Sequence, residues 1–230
     1  MKNSKHLLLV FICIAFVTIG YAQHRRYKIS NGFAIGGGLT QFDILTDNFN
    51  TTKGNGWLIS ASATGDLPHK WYNISYGMQL SENTLEITGA EFDEDAFRDT
   101  QIEYKLMAVQ LSLLFHVKVI PNFITLDLGP VIQYNGKLEM QSSDEENLFV
   151  TLAGSETVLA KNLEDISQFN VNGAVGATLG FKFIKFRAQY IYGFTNMLNK
   201  LNDQEFNSGA GKSNFKGNQS MLTFSALITF

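Results

Sequence analysis

Residues 169–183 constrain the fold more than any other part of the chain. Phe169, Val171, Gly173, Val175, Ala177, Leu179, Phe181 and Phe183 fall on one side of an alternation, and Asn170, Asn172, Ala174, Gly176, Thr178, Gly180 and Lys182 fall on the other. Period two over about 15 residues marks a strand, and one far longer than the roughly 5–6 residues usual in soluble sheets. A soluble barrel would turn its apolar face inward and its charges outward. Here the polar side holds small and amide residues with little charge, as a narrow interior requires, and the apolar side is broad enough to meet lipid.

The alternation recurs seven more times. The expected strands cover about residues 30–45, 56–66, 71–88, 101–118, 123–138, 169–183, 185–197 and 218–230. In the fourth, Met107, Val109, Leu111, Leu113, Phe115 and Val117 oppose Gln110, Ser112 and His116; in the last, Leu222, Phe224, Ala226, Ile228 and Phe230 oppose Thr223, Ser225 and Thr229. Each exceeds the roughly 9–11 residues that a tilted strand needs to cross a bilayer. Tight turns at 67–70, 119–122 and 184–185 alternate with longer polar connections at 46–55, 82–100, 139–168 and 197–217. Even strand number and short–long alternation predict an all-β fold, an eight-stranded antiparallel up-and-down transmembrane β-barrel with both termini on the periplasmic side. Trp71 and Tyr72 beside a turn, and Tyr104, Tyr134 and Tyr192 toward the loops, fit aromatic girdles at two interfaces.

The N-terminus predicts export. Lys2 and Lys5 precede an apolar run from Leu7 to Val17, and small residues at Gly20 and Ala22 follow, so a signal peptide over 1–22 is expected to be cleaved before Gln23, leaving 23–230 as the barrel domain. The run is shorter than the ~20 residues a spanning helix needs. Cys13, the single cysteine, lies in that run without the small residue that precedes a lipidated cysteine, so no disulfide framework is expected. Formal charge is −3 and grows more negative when Lys2 and Lys5 leave, which argues against nucleic acid as a partner. Charged residues are only 17% of the chain while aromatics reach 13%, and three prolines against 20 glycines suit long strands rather than a loop-rich fold.

The block Ile102–Phe115, which begins Ile-Glu-Tyr-Lys and carries Tyr104, is followed by Phe123–Tyr134 with Gly129-Pro130 near its end. This hairpin resembles the central hairpin of the PorT-like outer-membrane β-barrel proteins of Gram-negative bacteria, although Ala108-Val109 stands where a proline is often found. The resemblance implies an outer-membrane location and a link to protein secretion. Phe230, with Phe224 and Ile228 on the same face, resembles the signal by which barrel-assembly machinery recognises its clients.

Candidate chemistry is sparse. Gly211-Lys212-Ser213 matches the end of a phosphate-binding loop, but Phe206 occupies the required glycine position and no helix follows. Gly36-Gly37-Gly38 lies within a strand, where glycines permit curvature or close packing. His116, Asp127 and Arg187 all fall on the polar face near the turn ends of their strands, and His116 and Asp127 should sit nearly opposite each other. A charge buried in a narrow barrel must be paired, so the three are read as an interior polar plug rather than a catalytic set. Glu91, Asp93, Glu94, Asp95 and Asp99, then Asp144, Glu145 and Glu146, make the outer loops acidic. A solvated surface is the plain reading; cation bridging to lipopolysaccharide or docking of a basic partner is the sharper one. Asp93-Glu94-Asp95 lacks the order of a calcium loop, so no metal site and no cofactor are expected.

The expectation is a non-enzymatic outer-membrane barrel acting through its loops as scaffold, surface protein or secretion accessory. Its partners would be outer-membrane lipid and lipopolysaccharide, the assembly machinery during insertion, and a secretion-system or surface protein. A small-solute pore is the alternative, opposed by the fact that eight-stranded interiors are generally filled by side chains.

Overall fold

The alternation is realised as strand along most of the chain. The computed structural model describes residues 30–93, 96–142, 148–152, 157–204 and 214–230. The expected leader over 1–22 lies outside them, as do Glu94, Asp95, Asp144, Glu145, Glu146 and the Gly211-Lys212-Ser213 segment. The strands are β1 (Ser30–Thr46), β2 (Thr51–Asp66), β3 (Tyr72–Asp93), β4 (Ala96–Ile120), β5 (Ile124–Met140), β6 (Phe149–Thr151), β7 (Thr157–Leu159), β8 (Phe169–Gly180), β9 (Ile184–Gly193) and β10 (Gly217–Thr229).

Eight of them close a ring. β1 pairs with β2 and with β10, and the antiparallel ladder continues through β2–β3, β3–β4, β4–β5, β5–β8, β8–β9 and β9–β10. Reciprocal bonds between Phe33 and Phe230 (3.4 and 2.8 Å) extend the β1–β10 seam to the final residue. Within the closed ring each strand is paired on both sides, so the ring itself has no sheet edge to template aggregation. β6 and β7 pair with each other and add to β3, where Ala90 faces Phe149.

Three tight turns gather at one end of the ring. Lys70 N donates to Leu67 O at 2.9 Å, Phe123 N to Ile120 O at 3.0 Å, and Phe181 N to Ile184 O at 2.8 Å. Asn122 takes the left-handed conformation at φ 68°, which asparagine tolerates better than most residues. Gly180 has φ 153°, and a Cβ there would lie 2.3 Å from Ile184 O, so this corner requires glycine. Gly38 is demanded differently: a Cβ would lie 2.0 Å from Phe224 O across the β1–β10 seam.

Several sequence expectations need correction. The sixth strand ends at Gly180 rather than 183, and the turn is Phe181-Lys182-Phe183 rather than 184–185, because the glycine corner reverses the chain before the alternation stops. The expected loop at 82–100 is strand on both sides, since β3 runs to Asp93 and β4 begins at Ala96. The expected polar loop at 139–168 holds β6, β7 and a 3₁₀ turn at Ala160–Leu163.

The reason for the longer hairpin is an exchange of faces. Inward positions near the turn end are polar, among them Ser75, Gln79, Gln110, His116 and Asp127. Further along the same strands the inward positions become Leu85, Ile87, Ile102, Tyr104, Leu106 and Leu138, all buried in one apolar cluster. The outward positions change in the opposite sense, from Tyr76, Met78, Leu111 and Leu113 to Glu82, Glu86, Gln101 and Glu103. On β3 and β4 the alternation is unbroken, but its polarity reverses. Bulges accompany the change, between Lys53 and Gly56 on β2 and opposite Leu106–Ala108, where β5 carries an extra residue.

Candidate functional site: a filled polar interior

At the turn end, His116 of β4 faces Asp127 of β5 across the ladder. His116 Nδ1 lies 2.6 Å from Asp127 Oδ1, and His116 Nε2 lies 2.6 Å from Ser75 Oγ of β3. Thr125 Oγ1 donates to Asp127 Oδ1 at 2.7 Å, and Thr178 Oγ1 of β8 donates to Oδ2. Arg187 of β9 places Nε 3.5 Å from Asp127 Oδ2 and 3.0 Å from Thr178 Oγ1. All three residues expected to form a plug therefore meet on one carboxylate, which is 1% exposed. Such a carboxylate is tolerable only because its lone pairs are filled and a cation stands beside it.

Ser75, His116 and Asp127 reproduce the hydrogen-bond order of a nucleophile, a base and its orienting acid. The rest of an acyl-transfer site does not follow. Ser75 is 2% exposed and so cannot meet a substrate carbonyl. It sits mid-strand, paired to both neighbouring strands, where backbone amides serve the ladder and cannot form an oxyanion hole. The arrangement orients and binds; it does not receive a substrate.

Above this cluster lies a cavity of about 20 Å³, bounded by Ser60, Ser62, Gln79, Ser112, Arg187 and Gln189 among others. An amide ladder roofs it. Gln79 Nε2 donates to Gln110 Oε1 at 2.5 Å, and Gln110 Nε2 donates to Gln133 Oε1. Asn172 Nδ2 donates to the same Gln133 oxygen at 2.8 Å, and Gln133 Nε2 donates to Asn135 Oδ1 and Gln219 Oε1, both at 2.5 Å. Residues from β3, β4, β5, β8 and β10 are thus tied together across the lumen.

At the loop end the interior is dry. Phe42, Ile44, Leu85, Ile87, Tyr104 and Leu106 from the strands pack with Val150, Leu152, Val158, Leu163 and Ile166 from one connection and Met197, Leu198, Leu201 and Phe215 from another. Tyr104 donates its hydroxyl to Ala160 O at 2.8 Å. It is an anchor for this cap and not a member of an outer girdle, because its position is inward. Asn196 and Asn202 fix the second connection: Asn196 Oδ1 accepts from Leu198 N (3.0 Å) and Gly217 N (2.8 Å), and Asn202 brackets Phe215 with bonds of 2.7 and 3.0 Å.

The outer face is the converse. Phe224 and Ile228 are each 56% exposed and Phe230 74%, beside Phe33, Ile35 and Leu39 of β1. Tyr134, Tyr192 and Trp71 also point outward, and Trp57 Nε1 donates to Glu82 Oε1 at 3.3 Å where the apolar surface ends. On β4 the outward apolar run reaches from Met107 to Val119. At about 3.3 Å per residue and a tilt of 35–45°, that is a band roughly 30 Å tall.

Sequence reasoning missed Ser75, Thr178 and the amide ladder. Serine, threonine and glutamine recur at most inward positions, so only the ladder registers reveal which of them converge.

No protein-family model matches the chain, and no curated protein matches it in sequence. Among solved structures, the chain is similar to neisserial surface protein A, at 9% identity and TM-score 0.43 over 89% of this chain and all of that one. It is similar to Ail, the attachment invasion locus protein of Yersinia pestis, at 12% identity and TM-score 0.42 over 87% of this chain and 99% of that one. It is also similar to the outer membrane protein OprG of Pseudomonas aeruginosa, at 10% identity and TM-score 0.47 over 88% and 97%.

Proposed function

We propose that the chain is a non-enzymatic integral outer-membrane β-barrel that works as a scaffold or surface accessory through the structure it raises at its loop end. The observation that carries this reading is the apolar band on the outside of a closed ring whose matching interior is polar. Large contiguous apolar surface is not left in water by soluble monomers, and a closed ring is the one sheet form that can stand in hydrocarbon with every backbone group satisfied. The expected leader at 1–22 supplies the export step, and the outward Phe224, Ile228 and Phe230 supply the strand that assembly machinery would read. Resemblance to the PorT-like barrels adds a secretion-linked partner for the long β3–β4 hairpin. Purified protein should show heat-modifiable migration in detergent gels and partition with outer-membrane fractions; recovery in the soluble periplasmic fraction contradicts the reading.

A small-solute pore is opposed by the plugged lumen. The ion cluster, the amide ladder and the apolar cap succeed one another along the axis. Planar-bilayer recordings are expected to show no steady single-channel current, and reproducible conductance steps would replace the scaffold with a pore.

A further inference from the structure

We propose that the cavity above Arg187 is a binding site for a small monovalent anion of halide size. The first observation is the guanidinium itself. Among the described residues its contacts run through Nε alone, to Thr178 and Asp127, and Arg187 is a wall of the cavity. Four of its five N–H donors therefore remain for whatever fills that space. The second is Gln189, another wall residue, which is 6% exposed and whose Nε2 has no partner among the described residues. A buried amide donor left unbonded is costly, so an acceptor in the cavity is called for. Ser60, Ser62 and Ser112 add hydroxyl groups to the same walls.

Charge decides between an anion and a neutral acceptor. Among the described residues, the ionisable groups facing the lower lumen are Asp66 of β2, His116 and Lys118 of β4, Asp127 of β5, and Lys185 and Arg187 of β9; β1, β3, β8 and β10 contribute none at this level. Lys118 pairs with Asp66 at 3.2 Å. Asp127 is the carboxylate beside Arg187, and it already accepts from His116, Thr125 and Thr178. Among the described residues the lumen cations Lys118, Lys185 and Arg187 outnumber the carboxylates Asp66 and Asp127 by one. An anion over the open side of Arg187 supplies the missing charge and the missing acceptor together. The cavity, at about 20 Å³, has room for a species of about the size of one water molecule.

Crystals grown or soaked in sodium bromide should show an anomalous peak within hydrogen-bond distance of Arg187 and of Gln189 Nε2. In solution, bromide titrated against gluconate at constant ionic strength should raise the unfolding midpoint of the detergent-solubilised barrel saturably, since a ligand of the folded state alone stabilises it. Gln189→Leu, which removes one neutral donor, should weaken the half-saturating bromide concentration about tenfold while retaining heat-modifiable migration. Arg187→Gln should abolish the response. Should Arg187→Gln fail to fold, the bromide peak and the Gln189→Leu shift still decide the matter. A water molecule only in the cavity, with no halide-specific stabilisation, overturns the proposal.

Discussion

Asp127 accepts hydrogen bonds from three side chains and stands beside a guanidinium while almost wholly buried, so the turn-end interior depends on it. Asp127→Asn leaves Arg187 without its carboxylate partner, and breaking a buried pair from one side costs about 3–5 kcal/mol. Urea unfolding of the reconstituted barrel should show that loss, while an unchanged midpoint would mean that solvent reaches the cluster. Ser75 offers a second test. Its contact with His116 has the form of an activated nucleophile, yet its burial predicts no reaction with a fluorophosphonate probe in the folded barrel; stoichiometric labelling of Ser75 would show an accessible, activated serine and contradict the structural role. His116, Asp127 and Arg187 were legible in the sequence because a charge on the polar side of an alternation stands out. Ser75 and Thr178 were not, because their partners are set by register between strands distant in sequence, and the pattern within one strand says nothing of register.

At the scale of the element, β3 and β4 each carry two kinds of strand in one. Near the turns they are lipid-type, apolar outside and polar inside. Beyond Glu82 and Met107 they become soluble-type, with Leu85, Ile87, Ile102 and Leu106 inside. Leu85→Ala should therefore cost about 2–5 kcal/mol, as large-to-small changes do in a packed core, whereas Thr84→Ala on the outward side should change little. Equal small effects at both positions in denaturant unfolding would show that the upper hairpin is not packed. Period two made the strands visible in the sequence, and their turn ends were placed within a few residues. The reversal of faces hid the rest, since outward Glu and Thr at 82–88 look like a loop when the apolar side is assumed to continue outward. The capping residues within 148–152, 157–166 and 197–204 were hidden for another reason: Val150, Val158, Leu163 and Leu201 sit in stretches too short for a periodic signal.

For the whole molecule, the two zones divide the labour. The lower zone fills its lumen with polar groups and offers lipid an apolar surface. The upper zone is a small soluble-like β structure with its own apolar core, which the proposed function sets beyond the bilayer on the same strands. That division explains why ring closure coexists with long connections, and under the proposed function partners would meet the outward-facing polar residues of β3 and β4. Cysteine scanning with spin labels along β4 tests it most directly, since the single native cysteine, Cys13, falls in the expected leader. Labels at Val109, Leu111, Leu113 and Phe115 should collide with oxygen and be shielded from a water-soluble nickel reagent, and labels at Gln101 and Glu103 should show the opposite preference. Nickel accessibility at all six positions would contradict the membrane-spanning account.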